Sequence, residues 1–374
     1  ARHPHSMLRV VSLLPSATEI LALIGGGKLL VGRSHECDFP KELSAVPVVT
    51  SSCLSFTTSA AVDEEVRTAK AEGTDLYTID TALLQQLRPD IIFTQDICTV
   101  CAIAAGTVHR AAAMLDPPPR VVALNPADLE DVLADLAKVG EAVGMQAEAE
   151  AARAKLQARV DAAVADAKDA RRRSSSRQGA PSVAFIEWAD PIYVGGHWTP
   201  QLIEMAGGAH PLNPAGKGGE AGAGAGKSFA VSAGAVEASS PDILIMSPCG
   251  LTLEQTEAEA FALLERPEDE GWFKRVRAVR DGRVALVDGN EMFNRPGPRL
   301  VEALEWLVWF FHHAHEGARV PLGLEKFPWK PFDRSVRPPG LPPPPSVLLT
   351  TGSAPVENGA GENGAMGGHV KGEN

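Results

Sequence analysis

Thiols and imidazoles are the groups in this sequence best suited to hold a metal, and their spacing is where chemistry could start. Cys98 and Cys101 form a C-x-x-C pair, the separation at which two thiolates close on one soft or borderline ion. Cys37 and Cys249, with His35 and His197, could complete a site for zinc or iron. Two other outcomes stay open, namely reduced thiols lining a pocket and a disulfide or redox pair. A second group has the mixed apolar and polar character that holds a flat, bulky ligand. It comprises Glu187, Trp188 and Asp190, then His197 and Trp198, although either indole could equally be core. In a third group, Phe293, Asn294 and Arg295 precede Pro296 and follow the turn Asp288-Gly289-Asn290. The prolines hold Asn294 and Arg295 on a rigid loop, where Arg295 meets a ligand carboxylate, amide or phosphate, or else pairs with Glu187.

These residues share a position relative to the elements that must carry them. Strand-like runs at 29–32, 90–94, 183–186 and 242–246 lead into four loops. These are Ser34-His35-Glu36-Cys37-Asp38, the run from Gln95 and Asp96 to Cys101, the stretch 187–200, and Ser247-Pro248-Cys249-Gly250. In open α/β sheets ligands sit just past strand carboxyl ends, so four of the five cysteines gather on one edge and only Cys53 stands apart. Helical patterns alternate with the strands: a strand at 9–14, a helix after Pro15 opened by a Ser or Thr cap, helices at 62–72, 81–87 and 107–115, and a strand at 120–124. Across 127–173 the strands stop. Leu129, Val132, Leu133, Leu136, Val139 and Val143 recur at helical spacing, and an Ala-rich helix at 147–170 carries Leu156, Val160 and Val164 on one face. At about 1.5 Å per residue it reaches roughly 36 Å, enough to run across two lobes. Alternation then resumes as far as a helix at 300–311.

The fold class is therefore α/β, two Rossmann-like lobes joined by a long helix with a ligand cleft between the lobes. The expected division is a flexible N-terminus (1–8), an N-terminal lobe (9–126), a helical connection spanning the lobes (127–173), a C-terminal lobe (182–318), and an extension with a disordered Pro/Gly-rich tail (319–374).

A formal charge of −12, with acids spread rather than blocked, argues against nucleic acid as a partner. Apolar runs fall short of the roughly 18 residues a spanning helix needs, so direct membrane insertion is not expected. Five cysteines in 374 residues do not resemble a disulfide-stapled secreted scaffold; a reducing intracellular compartment is favoured over a periplasmic or extracellular one. The chain opens on Ala1 rather than Met, so a removed leader stays open. The basic run Arg171-Arg172-Arg173 reads as a solvated loop, and Gly222 to Ser228 lacks the glycine spacing and preceding strand of a phosphate loop. A monomer is expected.

The run Val10-Val11-Ser12-Leu13-Leu14-Pro15-Ser16-Ala17-Thr18-Glu19, the four loops above and Asn294-Arg295-Pro296-Gly297-Pro298-Arg299 together resemble the class III periplasmic-binding-protein fold, the helical-backbone metal-receptor superfamily. The cobalamin-binding-like branch of that superfamily is the most similar. The resemblance implies two stiff lobes that pinch a metal-containing small molecule, a corrinoid first and an iron chelate second, and hand it to a membrane transporter. It adds Ser16 to the ligand-binding set of His35, Glu36, Gln95, Asp96, Glu187, Trp188, His197, Trp198, Phe293, Asn294 and Arg295. A non-enzymatic carrier is the expectation. A thiol- or metal-dependent enzyme acting in the same cleft and a ligand-free scaffold or sensor are the alternatives, since no nucleophile, base and acid triad can be assigned.

Overall fold

The computed structural model describes residues 7–95, 103, 105–173, 179–216, 226–267, 271–314 and 319–337. Residues 10–123 supply β1 (Val10–Ser12), α1 (Pro15–Leu23), β2 (Leu30–Arg33), β3 (Thr50–Ser52), α2 (Ser59–Glu72), β4 (Tyr77–Ile79), α3 (Thr81–Leu87), β5 (Ile91–Thr94), α4 (Ala105–Ala113) and β6 (Arg120–Ala123). Strands β2, β1, β5 and β6 form a parallel sheet in that order, while β3 and β4 make a separate antiparallel pair. Helix α1 starts without the side-chain cap expected of Ser or Thr. Pro15 occupies its first turn, and a residue with no N–H leaves one fewer donor to satisfy.

Two helices follow, α5 (Leu129–Val143) and α6 (Gln146–Arg173), separated by Gly144 at φ 74°, a left-handed turn that favours glycine. Helix α6 buries Ala149, Ala152, Leu156, Val160, Ala163, Ala167 and Ala170, a stripe at three- and four-residue spacing. Its small side chains permit close packing, and Val164 lies beside the stripe, only partly buried.

The second sheet comes from β7 (Val183–Ala189), β8 (Ile192–Val194), α7 (Trp198–Met205), β9 (Phe229–Ala230), α8 (Ala233–Ser239), β10 (Ile243–Met246), α9 (Leu253–Glu265), α10 (Trp272–Arg275), α11 (Arg277–Arg280), β11 (Val284–Val287), α12 (Leu300–His312) and β12 (Trp329–Pro331). Its strand order is β12-β11-β10-β7-β8-β9. Only β7, β10 and β11 are parallel; β8, β9 and β12 join antiparallel, so this sheet is mixed. The run 192–194, read as loop, alternates buried, half-buried and buried and pairs back on β7. Glu187 and Trp188 consequently lie within a strand rather than in a loop beyond it. One continuous core joins faces of both sheets through α1, α5, α6, α7 and α12. Arg159 on α6 grips Glu305 on α12 through two hydrogen bonds of 2.9 and 2.7 Å.

Candidate functional site

A cleft of about 690 Å³ opens between the two sheets. The N-terminal wall starts at the β1 carboxyl end with Leu14, Pro15 and Ser16, and includes Glu36 and Gln95 from the loops after β2 and β5. Helix α2 presents Val62, Asp63, Val66 and Lys70, one face by helical spacing. Phe56 and Tyr77 add rings. Opposite stand Glu187 and Trp188 from β7, Tyr193 from β8, and His197 and Trp198 at the start of α7. Cys249 and the run Phe293, Asn294, Arg295 and Pro296 close the floor.

Local bonding fixes these side chains. The Trp198 indole donates to the Phe293 carbonyl at 2.6 Å, tying the α7 start to the loop before α12. Asn294 donates to the carbonyls of Ser247 and Gly289 at 3.0 and 2.8 Å. Glu187 accepts from the Ser228 hydroxyl and, at 3.3 Å, from the Gly196 amide. Arg295 does not meet Glu187. Its guanidinium donates to both oxygens of Asp38 across the lobes, to Asn290 Oδ1 at 3.1 Å, and lies 3.9 Å from Glu36. Burial opposes both charges, yet the pairing holds the Asp38 carboxyl below its usual range and raises Arg295. Beside it Arg299, capped by the Phe39 ring at 4.3 Å, donates to buried Glu19 at 2.9 and 3.2 Å. Burial pushes the Glu19 carboxyl up against the opposing pull of Arg299.

On the far side of the cleft the lobes also touch. Glu259 of α9 accepts from the Ser59 amide and, at 2.6 Å, from its hydroxyl, which itself accepts from the Ala189 amide at 3.3 Å. The carboxylate thereby satisfies a first-turn N–H of α2, where negative charge is favoured. Gln255 donates to the Phe56 carbonyl at 2.7 Å. Gly250 has φ 76°, and a Cβ there would stand 2.5 Å from the Phe56 ring, so only glycine admits this contact.

Of the expected site residues, Ser16, Glu36, Gln95, Glu187, Trp188, His197, Trp198, Phe293, Asn294, Arg295 and Cys249 come together on this cleft. His35 stands behind it: its ring bonds Thr50 at 2.7 Å and stacks on Tyr77 at 5.7 Å. Asp190 pairs with Arg266 away from the cavity. Cys37 is buried and does not line the cleft. Its sulfur is bonded by Thr18 at 3.0 Å and Ser34 at 3.1 Å, and burial raises the thiol, which favours the neutral form over a metal-binding thiolate. Asp96, Cys98 and Cys101 lie outside the described residues. Among the described residues no group of three or more His, Cys, Asp or Glu is arranged to hold a metal ion. Phe56, Lys70, Tyr77, Tyr193, Lys227 and Ser228 line the cleft without having been anticipated. Rarity was a usable signal, because the chain has two tyrosines and both are there.

His197 sits at the N-cap of α7 with φ 54°, its amide donating to the Gly226 carbonyl at 3.0 Å. Burial and the nearby Lys227 charge lower its imidazole pKa, favouring a neutral ring. That ring tilts against Trp198 at 5.5 Å and makes no hydrogen bond among the described residues.

The model of the family described as "Periplasmic binding protein" matches residues 10–291. Among solved structures, the fold is similar to a periplasmic heme binding protein from Pseudomonas aeruginosa (22% identity, TM-score 0.58, 81% of this chain and 92% of that one). It is also similar to the periplasmic vitamin B12 binding protein of Vibrio cholerae (17%, 0.54, 82% and 98%) and to an ABC transporter substrate-binding protein from Listeria monocytogenes (16%, 0.58, 82% and 99%). No curated protein sequence matches the chain. No helix among the described residues is long and apolar enough to cross a membrane. The family match overturns the expectation of a reducing intracellular compartment, which rested on cysteine density alone, and points to a periplasmic location. With a matching family model over most of its length, two α/β lobes and a cleft between them, the chain belongs to the periplasmic binding protein family.

Proposed function

We propose that the cleft captures a flat, metal-containing macrocycle, a corrinoid or an iron chelate of similar shape, and releases it unchanged to a membrane transporter. The observation that carries this reading is the pairing of aromatic walls from both lobes, Phe56 and Tyr77 facing Trp188, Tyr193 and Trp198, around a cavity of about 690 Å³. That size falls within the roughly 300–1,000 Å³ usual for small-molecule sites, and aromatic faces suit a planar ligand. His197 supports the metal-containing class, since a neutral imidazole has a lone pair for an open axial position. Cys249 is the one described cysteine on the cleft. Two of the three relatives named above are binding proteins for heme or vitamin B12, which agrees with this ligand class.

Absorption titration with cyanocobalamin and, separately, haemin tests the reading. One of them is expected to saturate at one ligand per chain, with His197→Ala shifting the bound spectrum. Linear, non-saturating spectra for both would refute it.

A further inference from the structure

The charged groups on the cleft are not equally available. Asp63 holds Arg67 at 2.9 Å, Glu187 accepts from Ser228 and Gly196, Glu36 lies 3.4 Å from His35 and 3.9 Å from Arg295, and Arg295 is committed to Asp38. Lys70 and Lys227 differ: each lines the cleft, and neither side-chain ammonium has a hydrogen bond or ion pair among the described residues. They stand on opposite lobes, Lys70 in the last turn of α2 and Lys227 in the segment before β9.

Lys227 is not on a loosely held loop. Buried Asn213 donates to the carbonyls of Gly195, Gly226 and Lys227 at 2.9, 3.4 and 3.4 Å. The neighbouring backbones approach so closely that a Cβ on Gly196 would stand 2.1 Å from the Ser228 nitrogen. Lys70 is likewise held, one helical turn beyond buried Val66 on the face that α2 turns to the cleft. Two lysines on anchored backbone, one per lobe, flank walls that are otherwise aromatic or carry charged groups already engaged in hydrogen bonds or ion pairs.

We infer that Lys70 and Lys227 form an anion-selecting pair, and that the ligand is a macrocycle carrying at least two peripheral carboxylates, one received by each lobe. This rests on the proposed reading of the cleft as a macrocycle site and narrows it to an acidic ligand. Each carboxylate would accept charge-assisted hydrogen bonds from an ammonium, and a ligand engaging both would link the lobes. A ligand whose periphery is amidated or esterified offers the same flat face to the aromatic walls but no charge to the lysines.

The test compares haemin, which has two free carboxylates, with its dimethyl ester in matched solvent, using wild type, Lys70→Gln, Lys227→Gln and the double variant, with cyanocobalamin as an amide-rich macrocycle. Wild type is expected to bind haemin about tenfold or more tightly than the ester, the worth of one to two charge-assisted contacts. Each single variant should lose part of that preference and the double variant most of it, and added salt should erode it in wild type. Equal affinity for acid and ester, tighter binding of cyanocobalamin than of haemin, or a preference that survives in the double variant overturns the pair while leaving the cleft as a macrocycle site. Absence of binding by all three probes overturns the cleft reading and the pair together.

Discussion

Replacing Ser59 by Ala removes one hydroxyl and tests whether the Ser59–Glu259 contact holds the two lobes together. That hydroxyl donates to Glu259 at 2.6 Å and accepts from the Ala189 amide at 3.3 Å, both partners belonging to the opposite lobe. The Ser59 amide would continue to serve the other Glu259 oxygen, so the helix end keeps its anion. One carboxylate oxygen and one amide would lose a buried partner, each costing about 1–3 kcal/mol. The total is bounded by what it costs the lobes to part and let water in, a step that also gives up the Phe56 contacts with Gln255 and Gly250. The expected loss is therefore about 2–4 kcal/mol, or on the order of 3–6 °C in midpoint for a unit of this size. Denaturant unfolding gives the free energy, and small-angle scattering reports whether relief is found by opening. A loss below about 0.5 kcal/mol with an unchanged radius of gyration would show that the contact carries no closure energy.

Three further outcomes are expected. Trp188→Ala should weaken macrocycle binding about tenfold or more, with Trp188→Phe retaining most of it because the flat face remains; equal affinities by titration would remove the indole from the site. His210 is buried, its Nδ1 bonded to the Val183 carbonyl at 2.9 Å, and burial lowers its pKa to about 4. The unfolded chain then binds more protons between about pH 6.5 and pH 4, so stability is full above this window and falls as the pH drops through it, by on the order of 3 kcal/mol; unfolding curves of wild type and His210→Gln should converge in slope only if that histidine is not responsible. Leu156→Ala, in the buried stripe of α6, should cost about 2–5 kcal/mol through the cavity it leaves, measurable by the same unfolding assay.

Much of the frame was legible because the strand runs are short, apolar and punctuated by Gly, Pro or acid, as at Asp90 before β5 and Asp242 before β10. The loops after β2 and β10 followed from the general rule for open sheets, and so did the neighbourhood of Glu36 and Cys249. Less legible was anything fixed by contacts remote in sequence. The partner of Arg295 is Asp38, 257 positions away, and no local pattern distinguishes it from Glu187. The wall built from Phe56, α2 and Tyr77 depends on the small β3–β4 pair, whose three-residue strands carry too little alternation to be seen. The β7–β8 hairpin was missed for the same reason, and with it Tyr193. Conversely, Cys37 sits in the anticipated loop but is withdrawn into the protein by Thr18 and Ser34, a choice between wall and core that residue type alone does not make.

The central claim is capture of an intact metal macrocycle. Protein mixed with haemin or cyanocobalamin should be passed through gel filtration, its iron or cobalt counted per chain, and the ligand recovered by denaturation and weighed by mass spectrometry. The account predicts one metal per chain for at least one of the two and a recovered mass identical to that supplied. Metal that elutes entirely apart from the protein, or a ligand recovered chemically altered, would contradict it.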